Sequence, residues 1–132
     1  MIIQAGIIGA TGYAGVELTR ILLRHPHARL AAISSVSYEG QPLDSVFPSL
    51  REIADLTCGT AEQVIAAADV IFAAVPHGIS EDLAAQCVEK GKKFIDLGAD
   101  FRLDDPADYQ KWYGGEFKHP PLHDAAVYGI PE

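Results

Sequence analysis

One short segment constrains this chain more than any other. Gly9-Ala10-Thr11-Gly12-Tyr13-Ala14-Gly15 stands between an apolar run, Ile3 to Ile8, and a helix-period segment from about Tyr13 to Arg24, with Gly6 just upstream. Glycines at three-residue spacing let the backbone turn tightly, approach a pyrophosphate closely and pack the helix against the sheet. The helix N-terminus behind them offers free N–H groups and a positive dipole end to an anion. A glycine pattern alone is weak evidence, and a merely tight turn is the alternative reading. Here the strand before it, the amphipathic helix after it and the βαβ setting are the context that a dinucleotide-binding turn requires.

The rest of the chain alternates short apolar runs with helix-period segments, the pattern of a Rossmann-type, doubly wound parallel sheet with helices on both faces: an α/β fold in a single domain. Ala14, Leu18, Ile21 and Leu22 are expected on the buried stripe of the first helix, which Pro26 stops. Leu30 to Ser34 is a second strand. Ser35 to Pro48, with Gly40 and Pro42, reads as a loop holding one short helical turn. Thr60 and Gln63 form a capping box for a helix running to about Ala68. Val70 to Val75 is a strand ended by Pro76. Ser80 is then expected to cap a helix with Leu83, Ala84, Cys87 and Val88 on one side and Gly91 at its end. Lys93 to Leu97 is the next strand, and Asp105 before Pro106 predicts a short helix carrying Tyr109, Trp112 and Tyr113. Gly114-Gly115 and Pro120-Pro121 punctuate a loop before a final strand expected at Ala126 to Tyr128.

Length and charge bound the function. The chain has 132 residues and a formal net charge of −8 without a basic run, which argues against nucleic acid as a partner, because phosphate tracking needs clustered Lys and Arg. The apolar start is broken by glycine and preceded by no basic residue, so it reads as neither a signal peptide nor a membrane span. Cys58 and Cys87 lack Cys-x-x-Cys spacing and are expected as reduced thiols in a cytoplasmic protein.

Three corners carry the remaining chemistry. An NAD-binding unit places Asp or Glu about 20 residues beyond the glycines, at the end of the second strand. This chain has Ser34-Ser35-Val36-Ser37 there. Hydroxyls accommodate a 2′-phosphate that a carboxylate repels, so Ser34, Ser35 and Ser37 favour NADP, with solvated loop serines as the alternative. Pro76, His77 and Gly78 follow the Val70 to Val75 strand, where ligands lie in an open parallel sheet, and join the cofactor-binding candidates; His77 alone is either a surface histidine or a catalyst. Arg102, after Asp100-Phe101, either forks onto a phosphate or pairs with Asp104 or Asp105. His119 and His123 have ligand-like spacing, but Pro120-Pro121 is expected to prevent the helix that would align them, so no metal site is assigned.

Taken together, these segments resemble the N-acetyl-γ-glutamyl-phosphate reductases, the arginine-pathway branch of the semialdehyde dehydrogenase family. The landmarks are the glycine turn, Ser34-Ser35, Val75-Pro76-His77-Gly78, Asp96-Leu97-Gly98-Ala99-Asp100-Phe101-Arg102, and Val127-Tyr128-Gly129-Ile130-Pro131-Glu132. One departure is Gln41 beside Gly40, where family members commonly carry a basic residue. The resemblance implies NADP as cofactor, an acyl phosphate as the parent enzyme's substrate, and a homo-oligomeric parent. It also implies that residues 1–132 are an N-terminal NADP-binding domain whose nucleophilic cysteine lies beyond Glu132. No catalytic residue is therefore assigned within this chain, which is expected to be inactive alone, with Cys58 and Cys87 structural. Apolar surface near Trp112 to Ile130 is expected to be exposed.

Rival readings are a domain of an aspartate- or aminoadipate-type semialdehyde dehydrogenase and a non-catalytic nucleotide-binding module. A short-chain reductase is disfavoured, since no tyrosine precedes a lysine by four residues.

Overall fold

A computed structural model describes residues 1–130; Pro131 and Glu132 lie outside the described residues, as does the end of the family-like C-terminal segment. The first strand, β1 (Ile3–Ile8), leads through the glycine turn into α1 (Tyr13–Leu23) and back to β2 (Ala28–Ser34). Then follow α2 (Leu43–Val46), a 3-10 turn at Pro48–Leu50, β3 (Cys58–Gly59), α3 (Ala61–Ala67) and β4 (Val70–Ala73). The last elements are α4 (Ser80–Glu89), β5 (Lys93–Asp96), α5 (Pro106–Tyr113) and α6 (Pro120–Ala125).

The strands form one parallel sheet in the order β3-β2-β1-β4-β5. The chain winds outward from β1 on one side and then returns to start β4 on the other. The point where the direction reverses lies between β1 and β4, at the carboxyl ends of which ligands bind in this class of sheet.

Alternation along β1 divides the core. Ala5 and Ile7 join Val16 and Leu22 of α1, Leu30 and Ile33 of β2 and Leu43 of α2 on one face. Ile8 joins Val64 and Ile65 of α3, Ile71 of β4, and Leu83 and Cys87 of α4 on the other. Successive strand side chains point to opposite faces, so β1 is buried on both. The Thr60–Gln63 capping box is present, with both reciprocal bonds formed.

Several sequence expectations are corrected. The buried stripe of α1 is Gly15, Val16, Thr19 and Leu22, whereas Ala14 and Ile21 face outward. The stripe is set by where Gly15 must touch the turn, and Thr19 sits in it because its hydroxyl donates back to the Gly15 carbonyl at 2.9 Å. Likewise, Val88 on α4 is exposed beside buried Leu83, Ala84 and Cys87. Ser80 does not cap α4: Ile79 is the N-cap, and Ser80 is the first helical residue, its hydroxyl donating to Asp96 Oδ1 at 2.8 Å. No strand forms at Ala126 to Tyr128. Instead, the Pro120-Pro121 pair opens α6, because the first helical positions have no N–H bond to lose. The two-residue β3 escaped the periodicity argument, being too short to show one.

Candidate cofactor site

The glycine turn is held by backbone contacts. Gly9 N–H and Ala10 N–H both donate to the Ser34 carbonyl, at 3.2 and 2.9 Å, tying the end of β1 to the end of β2. Gly9 adopts φ +87°, and a Cβ there would fall onto the Ala74 carbonyl beyond β4. A Cβ on Gly15 would fall onto the Gly9 carbonyl. Both glycines are therefore required by the fold, Gly9 by conformation and contact, Gly15 by close helix-to-turn packing.

Gly12 differs. A Cβ there meets only the Gly9 carbonyl, at 3.8 Å, and otherwise points into open space. Gly12 is the N-cap of α1, no side chain caps that end, and no acidic residue stands in the first turn. An eleven-residue helix thus presents uncapped N–H groups and its positive dipole end beside a bare backbone. That combination fits a pyrophosphate. Tyr13, at the helix start, is 94 % exposed and Ala14 is exposed beside it.

The serine corner is brought only partly to the turn. Thr11 Oγ1 and Ser35 Oγ share a hydrogen bond of 2.7 Å, and Ser35 Oγ also accepts from Tyr38 N–H at 3.2 Å. Ser34 is buried and serves the turn through its carbonyl, while Ser37 is exposed. Beyond the corner lies an open hollow of about 470 Å³ lined by Glu39, Gly40, Thr57, Cys58, Gly59 and Gln63. Glu39 is an acidic neighbour that inspection of the strand end alone passed over.

At the other side of β1, the Pro76-His77-Gly78 loop follows β4. Gly78 takes φ +91° and turns the chain into α4. His77, whose side chain is 36 % exposed, lies with Nδ1 2.6 Å from Asp100 Oδ1. Its Nε2 is 3.3 Å from the hydroxyl of Tyr109, a buried residue of α5 whose phenol burial pushes up in pKa. Asp100, fully buried, also accepts from Gly78 N–H and Ser80 N–H at 2.9 and 3.0 Å. The partner that sequence inspection could not supply for His77 is thus Asp100. Arg102 pairs with neither Asp104 nor Asp105 among the described residues; its Nε donates to the Gly98 carbonyl at 3.1 Å.

A second carboxylate fastens α6. Glu81 Oε2, buried on α4, accepts from Lys118 N–H and His119 N–H, both at 2.8 Å. His123 stacks on Phe117 with ring centroids 3.5 Å apart, and its Nε2 lies 3.2 Å from Glu81 Oε2 outside hydrogen-bond geometry. His119 pairs instead with exposed Asp82 at 2.9 Å, and that bond, with a second from Lys118, holds the Asp82 carboxyl below its usual range. The helix does bring both histidines onto α4, contrary to the expectation from Pro120-Pro121, but onto different carboxylates. No group of three candidate ligands converges on a metal position among the described residues.

Both thiols are buried away from these loops, Cys58 in the β2-side core and Cys87 in the α4-side core. Burial pushes the Cys58 thiol up, and that of Cys87 up to about 11. The expected apolar surface is present: Trp112 is 69 % exposed, and Val127, Tyr128 and Ile130 are exposed as well. No described helix is long and apolar enough to cross a membrane.

Known proteins resemble this chain in sequence and in fold. The chain is 48 % identical over 130 residues to the N-acetyl-gamma-glutamyl-phosphate reductase of Clostridium beijerinckii, covering 98 % of this chain and 38 % of that protein. It is 51 % identical over 130 residues to the reductase of the same name from Clostridium botulinum strain Alaska E43, again with 98 % and 38 % covered. The chain therefore spans well under half the length of these relatives. Among solved structures, aspartate semialdehyde dehydrogenase with NADP from Candida albicans superposes with a TM-score of 0.65 at 20 % identity, covering 80 % of this chain and 32 % of that one, a likeness of fold. A semialdehyde dehydrogenase NAD-binding protein from Cupriavidus necator, in complex with calcium and NAD, gives a TM-score of 0.52 at 26 % identity, covering 76 % and 34 %. With residues 4–132 also matching the model of the semialdehyde dehydrogenase NAD-binding domain, the chain belongs to the semialdehyde dehydrogenase family.

Proposed function

We propose that residues 1–132 are the cofactor domain of an N-acetyl-γ-glutamyl-phosphate reductase, which reductively dephosphorylates N-acetyl-glutamyl phosphate to the semialdehyde in arginine biosynthesis. The observation that carries the binding role is the uncapped N-terminus of α1 behind the bare Gly12 backbone. When bound, NADP(H) supplies the hydride. The first-turn N–H groups of α1 and the Thr11-Gly12 backbone receive the pyrophosphate, while Gly9, Ala10 and Gly15 shape the turn. Ser35, with Ser34 and Ser37, forms the corner for the adenosine ribose and its 2′-phosphate. Pro76, His77 and Gly78 line the opposite half of the dinucleotide. The test is a titration of NADPH and NADH against intrinsic fluorescence. NADPH is expected to bind more tightly, and equal affinities would remove the serine assignment.

The nucleophile belongs elsewhere in the parent enzyme on this reading. A thiolate that attacks an acyl phosphate and expels phosphate must be ionised and accessible, and Cys58 and Cys87 are neither. Both thiols are expected to resist a disulfide reagent in the native chain and to react at once on unfolding. This chain alone is expected to show no turnover. Oxidation of NADPH that depends on acyl phosphate and disappears in a Cys58→Ser, Cys87→Ser double variant would place the nucleophile here instead. A cytoplasmic setting and a homo-oligomeric parent complete the proposal.

A further inference from the structure

The β4-end loop is governed by a residue outside the glycine turn, the serine corner and the loop itself. Asp100 lies 22 residues beyond Gly78, past the end of β5, and its side chain is all but inaccessible. Both oxygens accept backbone donors: Oδ1 from Gly78 N–H at 2.9 Å, Oδ2 from Ser80 N–H at 3.0 Å and again from Gly78 N–H at 3.2 Å, while His77 Nδ1 lies 2.6 Å from Oδ1 as an ion-pair contact outside hydrogen-bond geometry. One carboxylate thus ties the N–H of Gly78, in the loop, to that of Ser80, the first residue of α4, and abuts the ring of His77.

The contact with His77 has a consequence for the ring. Asp100 Oδ1 packs against its Nδ1 edge at 2.6 Å. Tyr109 shares a hydrogen bond of 3.3 Å with Nε2 at the other edge. The imidazole is held from both edges in one orientation. This happens on the β4 side of the reversal in strand order, opposite the β2 corner. Since the β2 end serves the adenosine ribose in such sheets, the β4 side serves the nicotinamide half.

We propose that Asp100 is a positioning residue: by clamping His77, Gly78 and Ser80 it fixes the His77 ring and the loop that receives the nicotinamide half of the cofactor. The inference rests on the cofactor reading above and adds the group that pre-organises one half of it.

Asp100→Asn tests this. The amide has one acceptor oxygen and one donor nitrogen. With the oxygen kept on the Ser80 N–H, its NH₂ takes the Oδ1 place and meets the Gly78 N–H donor to donor, which opens the clamp at the loop. The binding readout pairs NADPH with adenosine 2′,5′-bisphosphate, which lacks the nicotinamide half. The variant is expected to weaken NADPH about tenfold, the weight of one charge-assisted hydrogen bond from the loop, while the bisphosphate binds as before.

An equal loss for both probes would reduce Asp100 to a purely structural residue, and no loss for either would overturn the proposal outright. If Asp100→Asn does not fold, His77→Gln, at a half-exposed ring, decides by the same pair of titrations: loss confined to NADPH supports the clamp, and any other pattern overturns it. A wild-type chain that binds neither probe removes the cofactor reading, and this inference with it.

Discussion

The two ends of the candidate site are built from different materials. On the β1 side, the glycine turn works through backbone: carbonyls of Ser34, Ala74 and Gly9, N–H groups of Gly9 and Ala10, and the bare end of α1. On the β4 and β5 side, the loops work through side chains: Asp100, Glu81, His77 and Tyr109, each reaching across 20 or more residues of sequence. A backbone device needs only small residues at fixed spacing, so it is compact in sequence. A side-chain device needs the whole sheet to be assembled before its members meet.

The sharpest way to break this contrast lies inside the turn itself. Gly9→Ala combines a left-handed φ with a Cβ placed on the Ala74 carbonyl, and is expected to cost about 2–4 kcal/mol or to prevent folding. Gly12→Val puts its side chain into open space and is expected to leave the urea midpoint nearly unchanged while abolishing NADPH binding, because the new atoms would fill the place proposed for the phosphate. Circular dichroism under urea and a fluorescence titration separate the two effects. Should Gly12→Val bind the cofactor normally, the turn is not the phosphate site.

This difference explains what the sequence made legible. β1, α1, β2 and the turn were readable because apolar runs, a period of 3.6 and glycine spacing are all local. The Thr60–Gln63 box and the Asp105 cap were readable for the same reason, each closing within three residues. Ser80 misled because a serine before a helix is ordinarily a cap, and here the tertiary partner Asp96 won its hydroxyl. Pro120-Pro121 misled because proline marks both breaks and helix starts, and Glu81 decides the matter by accepting the Lys118 and His119 N–H groups at the start of α6. For His77, only the fold shows that Asp100 stands beside it.

The side-chain half can be broken at Glu81. Glu81→Ala leaves two backbone N–H groups without their buried acceptor and is expected to cost about 2–4 kcal/mol, with early hydrogen exchange across residues 117–125. Asp82→Ala, one residue away, removes only exposed partners and is expected to change the urea midpoint far less. Equal losses for the two variants would mean that α6 is held by its surface ion pairs and not by the buried carboxylate.

The smallest expected effect sharpens the comparison, because it concerns a side-chain contact that is only half made. Asp96 Oδ1 accepts from Ser80 Oγ and Gly98 N–H, both at 2.8 Å, whereas Oδ2 is buried with no partner. Burial, and secondarily the negative charge of Asp100, push its carboxyl above the ordinary 3.8, against the lowering effect of the Oδ1 bonds. The folded chain then keeps a proton that the unfolded chain has already released. Stability conferred by this group falls as pH rises from 3.8 through the raised folded value, and the cost is complete above it. Asp96→Asn keeps the Oδ1 acceptor and cannot ionise. It is expected to be nearly neutral at about pH 4 and to gain up to about 1 kcal/mol relative to the parent by about pH 8, read as a diverging pair of urea midpoints. Parallel profiles for the two chains would show that the unpaired oxygen carries no penalty, and that this half of the site is as fully satisfied as the backbone half.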